Sequence, residues 1–484
     1  MIKKIFMLAV VWAACVCPFN TALAGAKVAV VDILAVGSYA GQINESESQP
    51  GLARFAAAIK AEQRHGRTLF VSTGNMLGGT AESELTAGGP IINAFSELKL
   101  SVMGVGAEDL KWEESTQAQQ IALARYACLS LKPICTEDGK SLTLPYKIVK
   151  EGGIKLGFLS INKSYFDRGV LSEDNILAAA EQLQTYITAL KNEGAEVVVL
   201  LTDIDNAAIL PALAENLASL DLIIADTAAG DTAGVRIVAS GQRGAAYAKI
   251  HLEYDKASGR ITDCTATIKK IAMDGAEDAA YAGLVSRVNA KVSFIKQQEV
   301  GTAETEVWHN VNGVSLAGQF ITDTVRNAEN ADLAFIFGDE IGGGLKKGAV
   351  RNGDLYTLLP HDDEVVLVKL SGREVKNLLA AGLTENSRGI IMYSGLAVCY
   401  DDNKTGQEKI SASLIDGSAL LDDGEYRTAV PEWFLTDVLP PSKALAAEYT
   451  GKLWRDYIYE YLRDNKINAA DDKRLVIIAQ IRYL

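Results

Sequence analysis

Apolar runs in this chain repeatedly end in a glycine, an acid or an amide, and those endings are where chemistry could sit. SVMGVGAEDLKW (101–112) closes a small apolar run with Gly-x-Gly and follows it with Glu108 and Asp109. STGN (72–75) closes another with Asn75, and AEVVVLLTD (195–203) closes a third with Asp203. Carboxylate and amide oxygens accept hydrogen bonds and suit hard cations. Imidazole is thinly supplied. The chain has four histidines, His65, His251, His309 and His361, no two close in sequence and none closing such a run. GGG at 342–344 precedes Lys346 and Lys347, but no Gly-Lys-Ser/Thr follows, so a P-loop is not supported. No Cys-x-x-Cys or Cys/His cluster exists, which argues against a structural zinc.

These groups need elements to position them. The chain has 484 residues, which implies two domains. Its net charge of −14 argues against nucleic acid or an anionic membrane as partner. Lys3 and Lys4, the apolar residues 5–19 and Ala22-x-Ala24 read as a signal peptide cleaved after Ala24, so the protein is expected to be exported, periplasmic or extracellular, with no membrane span after cleavage. The other reading of this segment is a membrane anchor, although it is short for a span of about 20 residues. Cys128 and Cys135 enclose six residues. In an oxidising compartment a disulfide is the expectation, with two free thiols as the alternative.

From Lys27 the pattern alternates. KVAVVDILAV, TLFVSTG, LSVMGVG, GIKLGFLSI, AEVVVLLTD and LDLIIAD read as strands buried on both faces, separated by amphipathic helices such as LARFAAAIKAEQR. This spacing predicts an α/β fold. Residues 236–271 read as a hairpin that closes the first domain, with a turn near KASGR. Domains are expected at 25–272 and 301–484, joined by a linker helix in 273–300.

The order of these pieces resembles the secreted bacterial 5′-nucleotidase and UDP-sugar hydrolase family. Its frame is matched by PGLARFAAAIK (50–60), STGNMLGGT (72–80), GGPIINAFSELKLSVMGVGAED (88–109), VASGQRGAAYAKIHLEYD (238–255), ADLAFIFG (331–338), NGDLYTLLPHDDEVVLVKLSGREVKNLL (352–379) and YSGLAVCYD (393–401). The resemblance implies an N-terminal metallophosphoesterase-like αββα sandwich, a linker helix and a smaller α/β 5′-nucleotidase C-terminal-like domain. It also implies two metal ions held by Asp, His and Asn in five strand-end loops, which activate a water for nucleotide hydrolysis.

This chain keeps the loops and changes their residues. Where Asp-x-His-Gly would fall stand Leu34 and Val36, with Asp32 two residues earlier and so on the same side as Leu34. Gly-Asp has become Gly74-Asn75. Gly-Asn-His-Glu has become Gly106-Ala107-Glu108-Asp109, so the catalytic positions are Ala107 and Glu108. Asp203 replaces the histidine of the fourth loop, and Thr227 and Ala229 those of the fifth. If the fold is kept, Asn75, Glu108, Asp109 and Asp203 could converge on a divalent cation, with Asn75, Asp109 and Asp203 as its candidate ligands.

In the C-terminal domain the nucleotide-gripping Arg position holds Gly342, with Lys346 and Lys347 as substitute charges. Pro-Phe-Gly-Asn has become Pro360-His361-Asp362-Asp363. Trp433 and Phe434 stand for the aromatic clamp on which a purine would stack. Three readings follow. The first is a nucleotidase-like protein that binds a nucleotide-like ligand or a partner without efficient hydrolysis. The second is an active phosphoesterase of nucleotide catabolism with a rebuilt, carboxylate-rich metal site. The third is an envelope structural protein.

Overall fold

The computed structural model describes residues 28–136, 138–165, 173–204, 209–241, 243–384, 387–440, 442–443, 446–470 and 473–478. The proposed signal peptide lies outside them. Among them no helix is long and apolar enough to cross a membrane.

The first part of the chain alternates strands and helices. Its elements are β1 (Val28–Val36), α1 (Gly51–Gln63), β2 (Thr68–Ser72), α2 (Ala81–Glu84), α3 (Gly89–Glu97), β3 (Leu100–Gly104), α4 (Glu114–Leu123) and β4 (Ala127–Leu129). A second run follows: β5 (Tyr146–Glu151), β6 (Ile154–Ser160), α5 (Glu173–Asn192), β7 (Val197–Thr202), α6 (Ile209–Glu215), β8 (Leu222–Ala225), β9 (Gly230–Thr232) and β10 (Val235–Ala239). Then come β11 (Ala246–Asp255), β12 (Arg260–Lys270) and α7 (Ala279–Gln297). The described strands form two six-stranded sheets, β12-β11-β1-β2-β3-β4 and β5-β6-β7-β8-β10-β9.

Period-2 geometry explains why the strands are apolar throughout. In β1, Ile33 and Ala35 face the other sheet, where they meet Leu156, Phe158, Val199 and Leu201. Leu34 and Val36 face α1 and α3 and pack with Phe55 and Phe95. In β7, Val198 and Leu200 face α5 and α6. The result is a four-layer αββα sandwich. Because β1, β2 and β3 are mutually parallel, as are β6, β7 and β8, the loops that follow these strands gather along the sandwich edge.

The hairpin reading of 236–271 needs correction. β10 pairs with β8 in the second sheet, and the chain then crosses so that β11 pairs antiparallel with β1 in the first. Within 236–271 the hairpin is formed by β11 and β12. The linker helix is α7, and it is not a free tether. Tyr281, Val288 and Val292 are buried in the core beneath α1 and α3.

The second part contains β13 (Glu299–Ala303), α8 (Leu316–Ala328), β14 (Leu333–Phe337), β15 (Gly348–Arg351), α9 (Asn352–Leu358), β16 (Glu364–Ser371), α10 (Gly372–Gly382) and β17 (Ile391–Ser394). It continues with β18 (Leu396–Asp401), β19 (Ile410–Leu414), β20 (Glu425–Pro431), α11 (Phe434–Asp437), β21 (Glu448–Leu453), α12 (Trp454–Asp464) and β22 (Leu475–Ile478). A five-stranded sheet, β17-β14-β20-β16-β21, carries its own core.

The expected disulfide is also corrected: Cys128 and Cys135 are both free. Cys128 is buried on β4 beside Met103. The chain then turns back on itself, with Leu142 N–H donating to Ile134 O at 2.8 Å, and this carries Cys135 to the surface. Alkylation of the unfolded protein without reductant is therefore expected to modify each of Cys128, Cys135, Cys264 and Cys399. Two unmodified cysteines would restore the disulfide.

Candidate functional site

Six loop ends meet at the sandwich edge, and backbone bonds knit them first. Thr73 N–H donates to Val36 O at 3.1 Å, Ala40 N–H to Asn75 O at 2.9 Å, and Gly78 N–H to Glu108 O at 3.2 Å. Asp109 does most of the joining. Its carboxylate accepts from the backbone N–H groups of Asn75 (2.8 Å), Met76 (2.8 Å), Leu77 (3.0 Å) and Gly106 (3.0 Å). Both oxygens are thereby used twice, so Asp109 clamps the loop after β2 to the loop after β3 and has little left for a metal. Burial pushes its pKa up to about 6, against the pull of the four N–H donors.

Asn75 sits at φ 53°, a left-handed conformation that Asn tolerates better than most side chains. Its amide is used at both ends. The oxygen accepts from Glu108 N–H at 3.0 Å, and Nδ2 donates to Asp203 Oδ2 at 2.8 Å, which crosses from the first sheet to the second. The other Asp203 oxygen accepts from Lys163 N–H at 2.7 Å. Burial raises the Asp203 pKa to about 6, and the charge of Asp226 adds to the shift.

Asp226 closes β8 as Asp203 closes β7. Its two oxygens accept from the hydroxyls of Ser38 and Thr73. Asn162, after β6, donates to Thr73 O at 2.9 Å and accepts from Ser160 at 2.8 Å. The glycines of the frame make this approach possible. A Cβ on Gly106 would overlap Asn75 Oδ1, and one on Gly37 would overlap Asp226 and Ser240.

The side chains of the other expected positions lie apart from this network. Leu34 and Val36 are fully buried core residues. Asp32 does share a face with Leu34, but it is bound to His251 Nδ1 at 2.7 Å and to Lys249 at 3.3 Å, well back along the strand. Ala107, Thr227 and Ala229 are exposed, and Glu108 pairs with Lys111 at 3.4 Å. His65 and His361 are exposed, and His309 bonds Ser315 and Gly338 O. Among the described residues no three His, Cys, Asp or Glu side chains gather so as to hold a metal ion.

In the second part, Phe434 is fully buried against Phe337 and offers no face to a ligand, which corrects its reading as half of a clamp. Trp433 is half-buried, with the Arg388 guanidinium 4.0 Å from its ring centroid. Arg388 also reaches Asp437 at 3.1 Å and Glu340 at 3.9 Å. Glu340 is pushed up to about 8 by burial and by its hydrogen bond with Asp363. Asp363, Trp433, Arg388 and Glu340 thus form one group. Lys346 and Lys347 are exposed on the way into β15 and make no ion pair among the described residues.

Residues 291–437 match the family model described as 5′-nucleotidase, C-terminal domain. That match takes in the end of α7 and most of the second part of the chain, through α11. The fold as a whole is that of two-domain 5′-nucleotidases. The NAD nucleotidase of Haemophilus influenzae superposes with a TM-score of 0.67 at 14% identity, over 94% of this chain and 100% of that one. The 5′-nucleotidase precursor of Thermus thermophilus superposes at 0.57 and 17% identity, over 93% and 100%. In sequence, the endonuclease YhcR of Bacillus subtilis is 22% identical over 411 residues, 78% of this chain and 33% of the relative. The chain therefore spans about a third of that protein's length.

Sequence reasoning missed Asp226, Ser38, Thr73 and Asn162 in this nucleotidase-like frame. Asp226 had a visible signal, since IIAD ends an apolar run as LLTD does. The hydroxyls had none, because Ser and Thr are ordinary loop residues.

Two outcomes are expected. Asp109→Asn replaces an acceptor oxygen with an NH₂ facing two buried N–H donors, and should destabilise the protein by on the order of 3 kcal/mol in urea unfolding. Asp203 has a folded pKa of about 6, above the ordinary value near 3.9, so between these values the folded state holds the proton more tightly than the unfolded chain. Its contribution must fall as pH rises through that window. The stability of the wild type minus that of Asp203→Asn should decrease from about pH 4 to pH 6 and then level off.

Proposed function

We propose that this is an exported 5′-nucleotidase-like protein that binds a nucleotide-like ligand or a partner and has largely lost its dimetal centre. One observation carries the reading. The oxygens of Asp109, Asn75, Asp203 and Asp226 at the loop ends are taken by hydrogen bonds within the chain. A pair of divalent metals needs such oxygens, together with imidazoles, turned towards the ions. These residues do not fit that need. Without the ions there is no activated water and no clamp on the phosphoryl oxygens. Buried Asp203 and Asp226 also oppose a phosphate at the same place.

The exposed part of Trp433 and the polar groups around it give a ring-bearing ligand a surface to meet. The second reading, a rebuilt carboxylate-rich site, is favoured by Ser240. Its hydroxyl is fully buried with no hydrogen-bond partner among the described residues, close to where Asp226 approaches Gly37.

Phosphate release from nucleoside 5′-monophosphates and UDP-sugars, assayed with Mg²⁺, Mn²⁺, Ca²⁺, Co²⁺ and Zn²⁺ in turn, is expected to stay well below the ~1 s⁻¹ at the low end of enzyme turnover. Faster turnover, abolished both by chelator and by Asp203→Ala, would establish the rebuilt site instead.

A further inference from the structure

A cluster of four charged side chains joins the two parts of the molecule. Glu84, at the end of α2, and Lys111, after the loop that carries Asp109, come from the sandwich. Asp362, before β16, and Arg455, at the start of α12, come from the second part. Lys111 Nζ lies 2.8 Å from Glu84 and 2.6 Å from Asp362. Arg455 pairs with Asp362 and approaches Glu84 at 3.6 Å. Arg455 also donates to Leu359 O at 2.6 Å and lies over the Tyr356 ring, 3.9 Å from its centroid.

All four side chains are largely withdrawn from water, with exposures of 15% for Lys111, 9% for Glu84, 18% for Asp362 and 7% for Arg455. Charges so placed have lost most of their hydration, and only their mutual contacts compensate. Those contacts exist in one relative placement of the two parts. Turning one against the other would separate Lys111 from Asp362 and Arg455 from Glu84.

The position of the cluster matters as well. Lys111 is two residues from Asp109 and also pairs with Glu108 at 3.4 Å, while Asp362 adjoins Asp363 of the Trp433 group. The chain passes between the two parts near Gln298, between α7 and β13, where α7 packs against α9 and Asn352 N–H donates to Gln298 O at 2.9 Å; the quartet is a further, ionic tie away from that crossing.

We infer that Glu84, Lys111, Asp362 and Arg455 form an interdomain latch that holds the two parts in one orientation and closes the space between the sandwich edge and the Trp433 loop. This goes beyond the ligand-binding reading and does not depend on it.

The test is small-angle X-ray scattering of the full mature chain, with circular dichroism as a check on folding. Asp362→Asn and Lys111→Met each leave a buried charge unpaired, so the decisive variant is the double Lys111→Met/Asp362→Asn, which leaves Glu84 and Arg455 balanced. The expected result is a folded double variant whose radius of gyration exceeds that of the wild type by about 1–2 Å, on a scale of ~23 Å for a compact chain of this length. Its curve should need more than one arrangement of the two parts. A folded double variant whose scattering superimposes on the wild type would overturn the latch. So would global unfolding of that variant, since a latch between two separately cored parts should release them folded.

Discussion

The sandwich edge depends on one carboxylate. Asp109 gathers four backbone N–H groups from two loops, and a charged acceptor in a buried place makes each of those bonds stronger than a neutral one. Without it, the left-handed turn at Asn75 would present several buried donors to nothing. With it, Asn75 is held so that its amide can reach across to Asp203. The two sheets are therefore tied at this edge by side chains as well as by the apolar core between them.

That dependence shows which residues of SVMGVGAEDLKW the sandwich edge requires. Gly106 is needed because Asn75 Oδ1 comes close enough to overlap a Cβ there. Asp109 is needed for the clamp. Ala107 is exposed and Glu108 points to Lys111, so neither is constrained by the clamp. In that loop Gly106 stays and Asp109 keeps a carboxylate where the resemblance expects Glu, while Ala107 and Glu108 stand where it expects Asn and His.

The same economy of contacts links the edge to the rest of the molecule. Glu108 N–H is bound to Asn75 while its carboxylate meets Lys111, and Lys111 continues to Asp362 in the second part. A chain of polar contacts thus runs from Asp203 in the second sheet, through Asn75, the half-exposed Glu108, Lys111 and Asp362, to Arg455 on α12. Buried polar groups of this kind are sensitive to the loss of any one member, because each is the partner that offsets the desolvation of the next.

The sequence by itself determined the α/β alternation, the order of the parts and the absence of histidine at the strand ends. These are local properties: strands buried on both faces show as continuous apolar runs such as KVAVVDILAV, and a missing side chain is visible wherever it is missing. It also placed Asn75, Asp109 and Asp203 in the loops that follow strands. Only the tertiary structure decided what those oxygens do. Whether a carboxylate faces a cation or four N–H groups depends on backbone atoms more than thirty residues away, as Asp109 and Asn75 illustrate. The fate of Cys135 was decided by a turn that spacing does not encode, and the course of β10 by pairing with β8 rather than with its neighbour in sequence. Likewise, nothing in PEWFLTD says which of two adjacent aromatics is core. Burial settles it: both rings pack near Phe337, but Phe434 is fully buried while Trp433 stays half-buried.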